Sequence, residues 1–375
     1  MECYKKISLI LCGMLIMLQQ GCVTNTLDDC PDSVRYAISF NYTLHTETSN
    51  RPLNGGYDRF YDDVDKMFVY VFDATTSKCV FVDTVKLSAP FKEDYTYPIP
   101  LNVGEYDIIA WGRGRTPGDA VKVSTAIVPS IIPGTTTIDE ARLKIDENIC
   151  NGQLERIFYS EMKDVKIPAF VSRVDTMPLM NITNQIRVII SDARTTKMQD
   201  DLDISIVSND GAYSFNSRSA ARDDSYGTGG YFRSGNNAPD LDGRVVGSVT
   251  YLPYKTYRTD SILIADPIIS EPYTGSGNNP MFIVDLSKLR LVQDNADTYL
   301  LINFEGNPHR INLIDILQKD IIDRGGSAPR VQYQLDRQHR WQIVFRITDT
   351  FATAWIGVSE WHKVPQEGGT GNGWW

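Results

Sequence analysis

Six cysteines, four histidines and several aspartate pairs are the side chains of this sequence with most chemistry to offer. The sharpest candidate is Cys22, preceded by Gly21 and by the apolar run Ile7–Leu18, with Lys5 and Lys6 ahead of it. A membrane-spanning helix needs ~20 apolar residues, so this run is too short to remain as an anchor. Its length and flanks fit the h-region of an export signal. A small residue directly before a cysteine resembles the bacterial lipobox, where the thiol is diacylated and the chain is then cut between Gly21 and Cys22. The match departs in one place, because Gln19 stands where a leucine is usual and Leu18 lies one position early. The chemistry implied is a thioether to lipid. Each buried methylene contributes ~0.8 kcal/mol, and a single acyl chain binds only marginally, so two or three chains make a durable tether.

The other reactive residues do not assemble into a site. Cys3 and Cys12 leave with residues 1–21, which leaves Cys30, Cys79 and Cys150 beside the lipidated Cys22. An odd number allows one internal bridge and a free thiol, and the spacing does not choose the pair. His45, His309, His339 and His362 are scattered singly, with no spacing suited to a metal. Asp62, Asp63 and Asp65 lack the Gly and downstream Glu of a calcium loop and read as a solvated turn. Residues 112–118 (GRGRTPG) miss the spacing of a phosphate-binding glycine loop, and Pro117 blocks a following helix. No G-x-S-x-G elbow is present. The expectation is a non-enzymatic chain with no catalytic residues, no metal and no cofactor. The formal charge of −10 argues against a nucleic-acid partner held through phosphates.

The elements that carry these residues read almost entirely as strands. Val34, Tyr36, Ile38, Phe40 and Tyr42 occupy alternate positions, which puts all five on one face. Residues 65–73, 79–87, 105–111, 184–190, 202–207, 298–304 and 340–347 are likewise short, rich in β-branched and aromatic residues, and bounded by turn formers. Two segments read as short helices. Residues 136–145 (TTIDEARLKI) place acids after a threonine, and in 309–323 Ile311, Ile314, Leu317 and Ile321 recur at helical spacing. Many short strands without regularly interleaved helices predict an all-β protein built of two β-sandwiches. The expected division is a signal at 1–21, a lipidated leader at 22–33, bodies at 34–177 and 178–364 separated where Pro178 interrupts the chain, and a Gly-rich tail at 365–375. Residues 46–59 and 216–243 read as exposed loops.

Several stretches together resemble a known family. Residues 97–114 (YPIPLNVGEYDIIAWGRG) are similar to a strand–turn–strand segment of the fimbrillin-like proteins of Bacteroidetes, in particular the FimB-type and minor-fimbrium anchoring subunits of type V pili. Residues 28–42, with Cys30-Pro31 leading into the first strand, then 62–73, 154–162, 180–191 and 311–318 match further segments in order. The tail 363–375 departs from the Trp-containing strand with which the family often ends. The resemblance implies tandem transthyretin-like Greek-key sandwiches. It also implies a lipid-anchored, surface-exposed protein of the outer membrane, in a family whose subunits polymerise by strand exchange, with fimbrial stalk subunits as partners through strand addition. Gly368, Gly369, Gly371 and Gly373 make the tail a poor strand donor, the composition of a subunit that ends a polymer. The alternative expectation is a surface adhesin for glycan or host protein, using loop aromatics such as Tyr226 and Tyr231.

Overall fold

The computed structural model describes residues 36–42, 58–87, 96–114, 130–145, 149–168, 172–192, 202–209, 211–215, 248–259, 281–293, 295–304, 306–323, 331–336 and 338–347, with short pieces at 123–124, 126–127, 261–262, 273–274, 326 and 358–359. The first sheet has seven strands in the order β3 (Cys79–Lys86), β2 (Val64–Asp73), β5 (Gly104–Gly114), β11 (Ile157–Ile167), β12 (Arg173–Asn181), β1 (Tyr36–Tyr42) and β4 (Tyr97–Ile99). Its alternation is that of the sequence: Tyr36, Ile38, Phe40 and Tyr42 are buried and the residues between them are half-buried. They share an inner cluster with Val69, Val71, Ile108, Ala110, Phe158, Met177 and Leu179. Strands on both arms of the sheet therefore face one interior, and the sheet curls around it. β12 makes the bend: its first seven residues pair in parallel with β1, and only Met180 and Asn181 reach β11.

Pro178 does not interrupt the chain, as the sequence suggested. It sits inside β12 opposite Asn41. At that position β12 has left β11 and has a ladder neighbour on one side only, which is where a strand tolerates proline.

Two five-stranded sheets follow. One runs β17 (Lys255–Thr259), β20 (Met281–Lys288), β13 (Asn184–Asp192), β23 (Arg340–Ile347) and β24 (Val358–Ser359). The other runs β22 (Asn307–Asn312), β21 (Tyr299–Phe304), β14 (Leu202–Ser208), β16 (Val249–Tyr251) and β9 (Ile149–Cys150). Smaller sheets join β15 (Ala212–Ser214), β8 (Arg142–Ile145) and β7 (Ala126–Ile127), β10 (Gln153–Leu154) with β6 (Val123–Ser124), and β18 (Ser261–Ile262) with β19 (Tyr273–Thr274). The helical pieces are α1 (Phe60–Asp63), α2 (Leu313–Asp323) and α3 (Val331–Leu335). The protein is all-β in character, as the alternating pattern requires.

The two helix expectations part ways. α2 forms with Leu313, Ile314, Ile316, Leu317 and Ile321 buried, and the Asn312 side chain accepts from the Asp315 N–H at 3.1 Å as its N-cap. Ile311 lies one step earlier, in β22. Residues 136–145 are not a helix. Glu140 does accept from the Thr137 N–H at 2.8 Å, so the capping signal is physically real. It serves a single turn, after which Ala141, Leu143 and Ile145 are buried at alternate positions and the chain becomes β8.

Candidate interaction surface

The edges of a sheet carry unpaired N–H and C=O groups, so in an all-β protein they are the first place to look for assembly chemistry. The seven-stranded sheet ends in β3 and β4, and its curvature brings those ends together: the Tyr97 hydroxyl on β4 donates to the Asp83 carboxylate on β3. Among the described residues no strand lies between them. The start of β3 is already covered. Cys79 N–H donates to Thr136 O at 2.8 Å and Gly134 N–H to Cys79 O at 2.7 Å, in a turn that needs Gly134 at φ +79°. Beyond it, Phe81 and Val85 are half-buried against the inner cluster. The seam is thus an edge pair with apolar side chains beneath it, bridged by the Tyr97–Asp83 hydrogen bond. A strand laid between neighbours sits ~4.7–4.9 Å from each, so one entering here must displace Tyr97 from Asp83.

The remaining edges are blunter. β22 carries Pro308, His309 and Arg310, and the Arg310 guanidinium lies 3.5 Å from the centre of the Tyr299 ring. Proline and charge are the usual defences of an exposed edge. β17 presents exposed Lys255 and Arg258. β23 receives β24 at Gln342 and Ile343.

The buried clusters of charge are paired within the protein. Asp63 is not in a solvated turn: it is buried in α1, bonded by Arg59 at 2.8 and 2.9 Å and by Arg156 at 3.2 Å. Asp285 on β20 receives both arms of Arg187 from β13 at 2.7 and 2.9 Å. On β11, Lys163 stands 3.7 Å from Glu161 and 3.8 Å from Asp107, and Tyr159 donates to Glu161 at 2.9 Å. Burial, and then the Glu161 charge, hold the Tyr159 phenol well above its ordinary pKa, so it stays a protonated donor. Each is an ion pair or network in which opposite charges offset part of one another's desolvation. Among the described residues no three His, Cys, Asp or Glu side chains are placed to hold a metal ion. His309 and His339 lie on β22 and just before β23.

Of the residues singled out in the sequence, Gly21, Cys22, Cys30, Tyr226 and Tyr231 lie outside the described residues. Among the described residues Cys79 and Cys150 are buried and form no disulfide with one another. Cys79 Sγ lies 3.4 Å from Phe81 O and Cys150 Sγ lies 3.6 Å from Gly152 O. Burial pushes the Cys79 thiol up to about 11 from an ordinary 9.0. The thiolate is the reactive form, so alkylation of Cys79 at pH 8 is expected to run at least ~100-fold slower in the native protein than after denaturation. Peptide mass mapping after timed labelling checks this. Equal rates in the two states would contradict the buried position.

Curled sheets, strand edges with apolar residues beneath them and neutralised charge define the class: an all-β protein of the β-sandwich kind. The chain belongs to the family of fimbrillin-A associated anchor proteins Mfa1 and Mfa2, whose sequence profile matches residues 27–261 and 226–367. Membership associates it with the cell surface and with other fimbrial subunits. No curated protein matches the chain. Similar solved structures include a candidate polysaccharide-binding protein of Bacteroides thetaiotaomicron, 23% identical with a TM-score of 0.61, covering 89% of this chain and 99% of that one. A candidate adhesin from the same organism is 19% identical with a TM-score of 0.62, covering 89% and 98%. The fimbrial anchor protein Mfa2 of Porphyromonas gingivalis is 16% identical with a TM-score of 0.52, covering 87% and 99%. At these identities the likeness establishes the shared fold. Among the described residues no helix is long and apolar enough to cross a membrane.

Proposed function

We propose that this chain is an outer-membrane lipoprotein, tethered through Cys22 after removal of residues 1–21, that acts as a minor, terminal subunit of a type V fimbrium. Residues 22–33 serve as the leader, and the bodies 34–177 and 178–364 hold a stalk subunit by strand addition, without catalysis or cofactor. The observation that carries the reading is the family match across residues 27–261 and 226–367, which begins five residues after Cys22. The β3/β4 seam supports strand addition. An extended segment there would pair with two edges at once and place alternate side chains on the apolar cluster containing Phe81 and Val85. The pairing of Val358–Ser359 with β23 of the same chain supports a subunit that keeps this segment for itself.

The test is Cys22→Ser in the native host, with membrane fractionation and mass spectrometry of the leader. The expected outcome is loss of acylation, release of the protein from the outer membrane, and shedding of fimbriae into the medium. Retention in the membrane with an unmodified leader would sink the tether. Normal fimbriae after deletion of the gene, together with tight binding on a glycan array, would favour an adhesin instead.

A further inference from the structure

The two halves of the chain are joined by more than the crossing at residues 182–183. One apolar cluster runs from Tyr70, Ile109 and Trp111 on the outer face of the seven-stranded sheet to Val188, Leu286 and Ile343 in the second half. Two segments cross in opposite directions. From the first half, Ile149–Cys150 adds to β16 as a parallel neighbour, and Leu252 N–H donates to Cys150 O at 2.7 Å. From the second half, Ala212–Ser214 leaves the end of β14 and pairs with β8, with Tyr213 opposite Leu143.

Phe215 ends that returning segment and is fully buried. Its ring lies 5.3 Å from Tyr70, 5.5 Å from Trp111 and 6.4 Å from Phe72, an aromatic cage built entirely by the first sheet. Its N–H donates to Ala141 O at 3.1 Å, and its carbonyl accepts from Lys163 Nζ at 3.4 Å. Lys163 is placed by a bulge in β11 between Met162 and Val165, where Asp164 takes φ +54° and donates its N–H to Asp107 at 3.1 Å. A bulge re-aims the side chains beside it. Two residues before Phe215, the Tyr213 hydroxyl donates to Arg290 O at 3.3 Å, a contact with the second half.

We propose that Ala212–Phe215 is a latch which, with the reciprocal strand Ile149–Cys150, makes the two halves a single cooperative body. Separating them requires the Phe215 ring to leave its cage while β15 parts from β8 and β9 parts from β16. Neighbouring strands joined this way must rupture together, so pulling force passes across the exchanged ladders and not through residues 182–183 alone. The joint stands on its own contacts; its service under load rests on the fimbrial reading.

The test uses the unlipidated chain carrying Cys22→Ser, pulse-alkylated along a urea series with Cys79 and Cys150 read separately by peptide mass. Cys79 begins β3 of the first sheet, and Cys150 lies on the strand lent to the second half. The expected result is one shared midpoint in the parent and two resolved midpoints in Phe215→Ala. Phe215→Leu keeps apolar bulk without the ring contacts and covers the case in which the alanine variant does not fold. Lys163→Met removes the clamp on the Phe215 carbonyl together with the Lys163 ion pairs to Glu161 and Asp107, and is expected to move the midpoints apart by less. Separate midpoints in the parent would overturn the latch. So would a common, merely lowered midpoint in the Phe215 variants, because Phe215 would then be an ordinary core residue. These readouts involve no fimbriae, so they fail or succeed independently of the proposed function.

Discussion

Asp336→Ala is expected to destabilise the fold by ~3–5 kcal/mol, because it strands a guanidinium in the interior. Arg290 donates to Asp336 through Nε at 2.7 Å and Nη2 at 2.8 Å, and the two side chains are 1% and 3% exposed. Gln332 on α3 adds a donor to Asp336 at 2.9 Å and a second to Leu291 O at 3.0 Å. Lys288, itself fully buried, donates to the Arg290 carbonyl at 3.0 Å, so a second cation lies close to the pair. Replacing both partners, as in Arg290→Met with Asp336→Leu, is expected to recover most of the loss, since neither charge is then stranded. Urea midpoints for the two single variants and the double variant give the comparison. A cost below ~1 kcal/mol for Asp336→Ala would mean that the pair behaves as a surface ion pair and that water reaches it.

That pair also marks where the sequence stops being legible. Strands with one wet face show clean alternation, and β1, β14 and β21 follow the period-two reading closely because only one face is buried. β20 reads MFIVDLSK and is buried at every position. With both faces covered there is no alternation to see, and Asp285 and Lys288 look like surface charges until their partners Arg187 and the Arg290 carbonyl are in place. Partners 98 residues apart in sequence leave no local trace. Asp63 misleads in the same way: a triple-acid neighbourhood reads as a solvated turn, and only the fold brings Arg156 to it from 93 residues away. The 136–145 segment fails for a different reason. Its first turn obeys helix-capping chemistry, but burial of Ala141, Leu143 and Ile145 outweighs a weak local preference. Of the candidate surface, β3 and the strand–turn–strand at 97–114 were readable one by one. That they meet through Tyr97 and Asp83 depends on the curl of seven strands, which no local pattern encodes.

Trp341→Ala is the second substitution expected to have a large effect, at ~3–5 kcal/mol. The indole is fully buried on β23, beside Ile186 of β13 in a parallel register, and belongs to the cluster that both halves share. Its Nε1–H donates to Asn184 Oδ1 at 3.3 Å, and Asn184 is itself buried at the start of β13. Truncation therefore opens a cavity and orphans a buried amide together. Trp341→Phe separates the two, keeping most of the volume while losing the donor, and is expected to cost ~1–3 kcal/mol. Because the cavity would open into a core continuous with Trp111 and Tyr159, the loss is expected to lower the unfolding midpoint reported by Cys79 as well as that reported by Cys150. A Trp341→Ala chain in which only Cys150 became easier to label would show that the apolar cluster is contiguous in space without being cooperative, and that the second half melts alone.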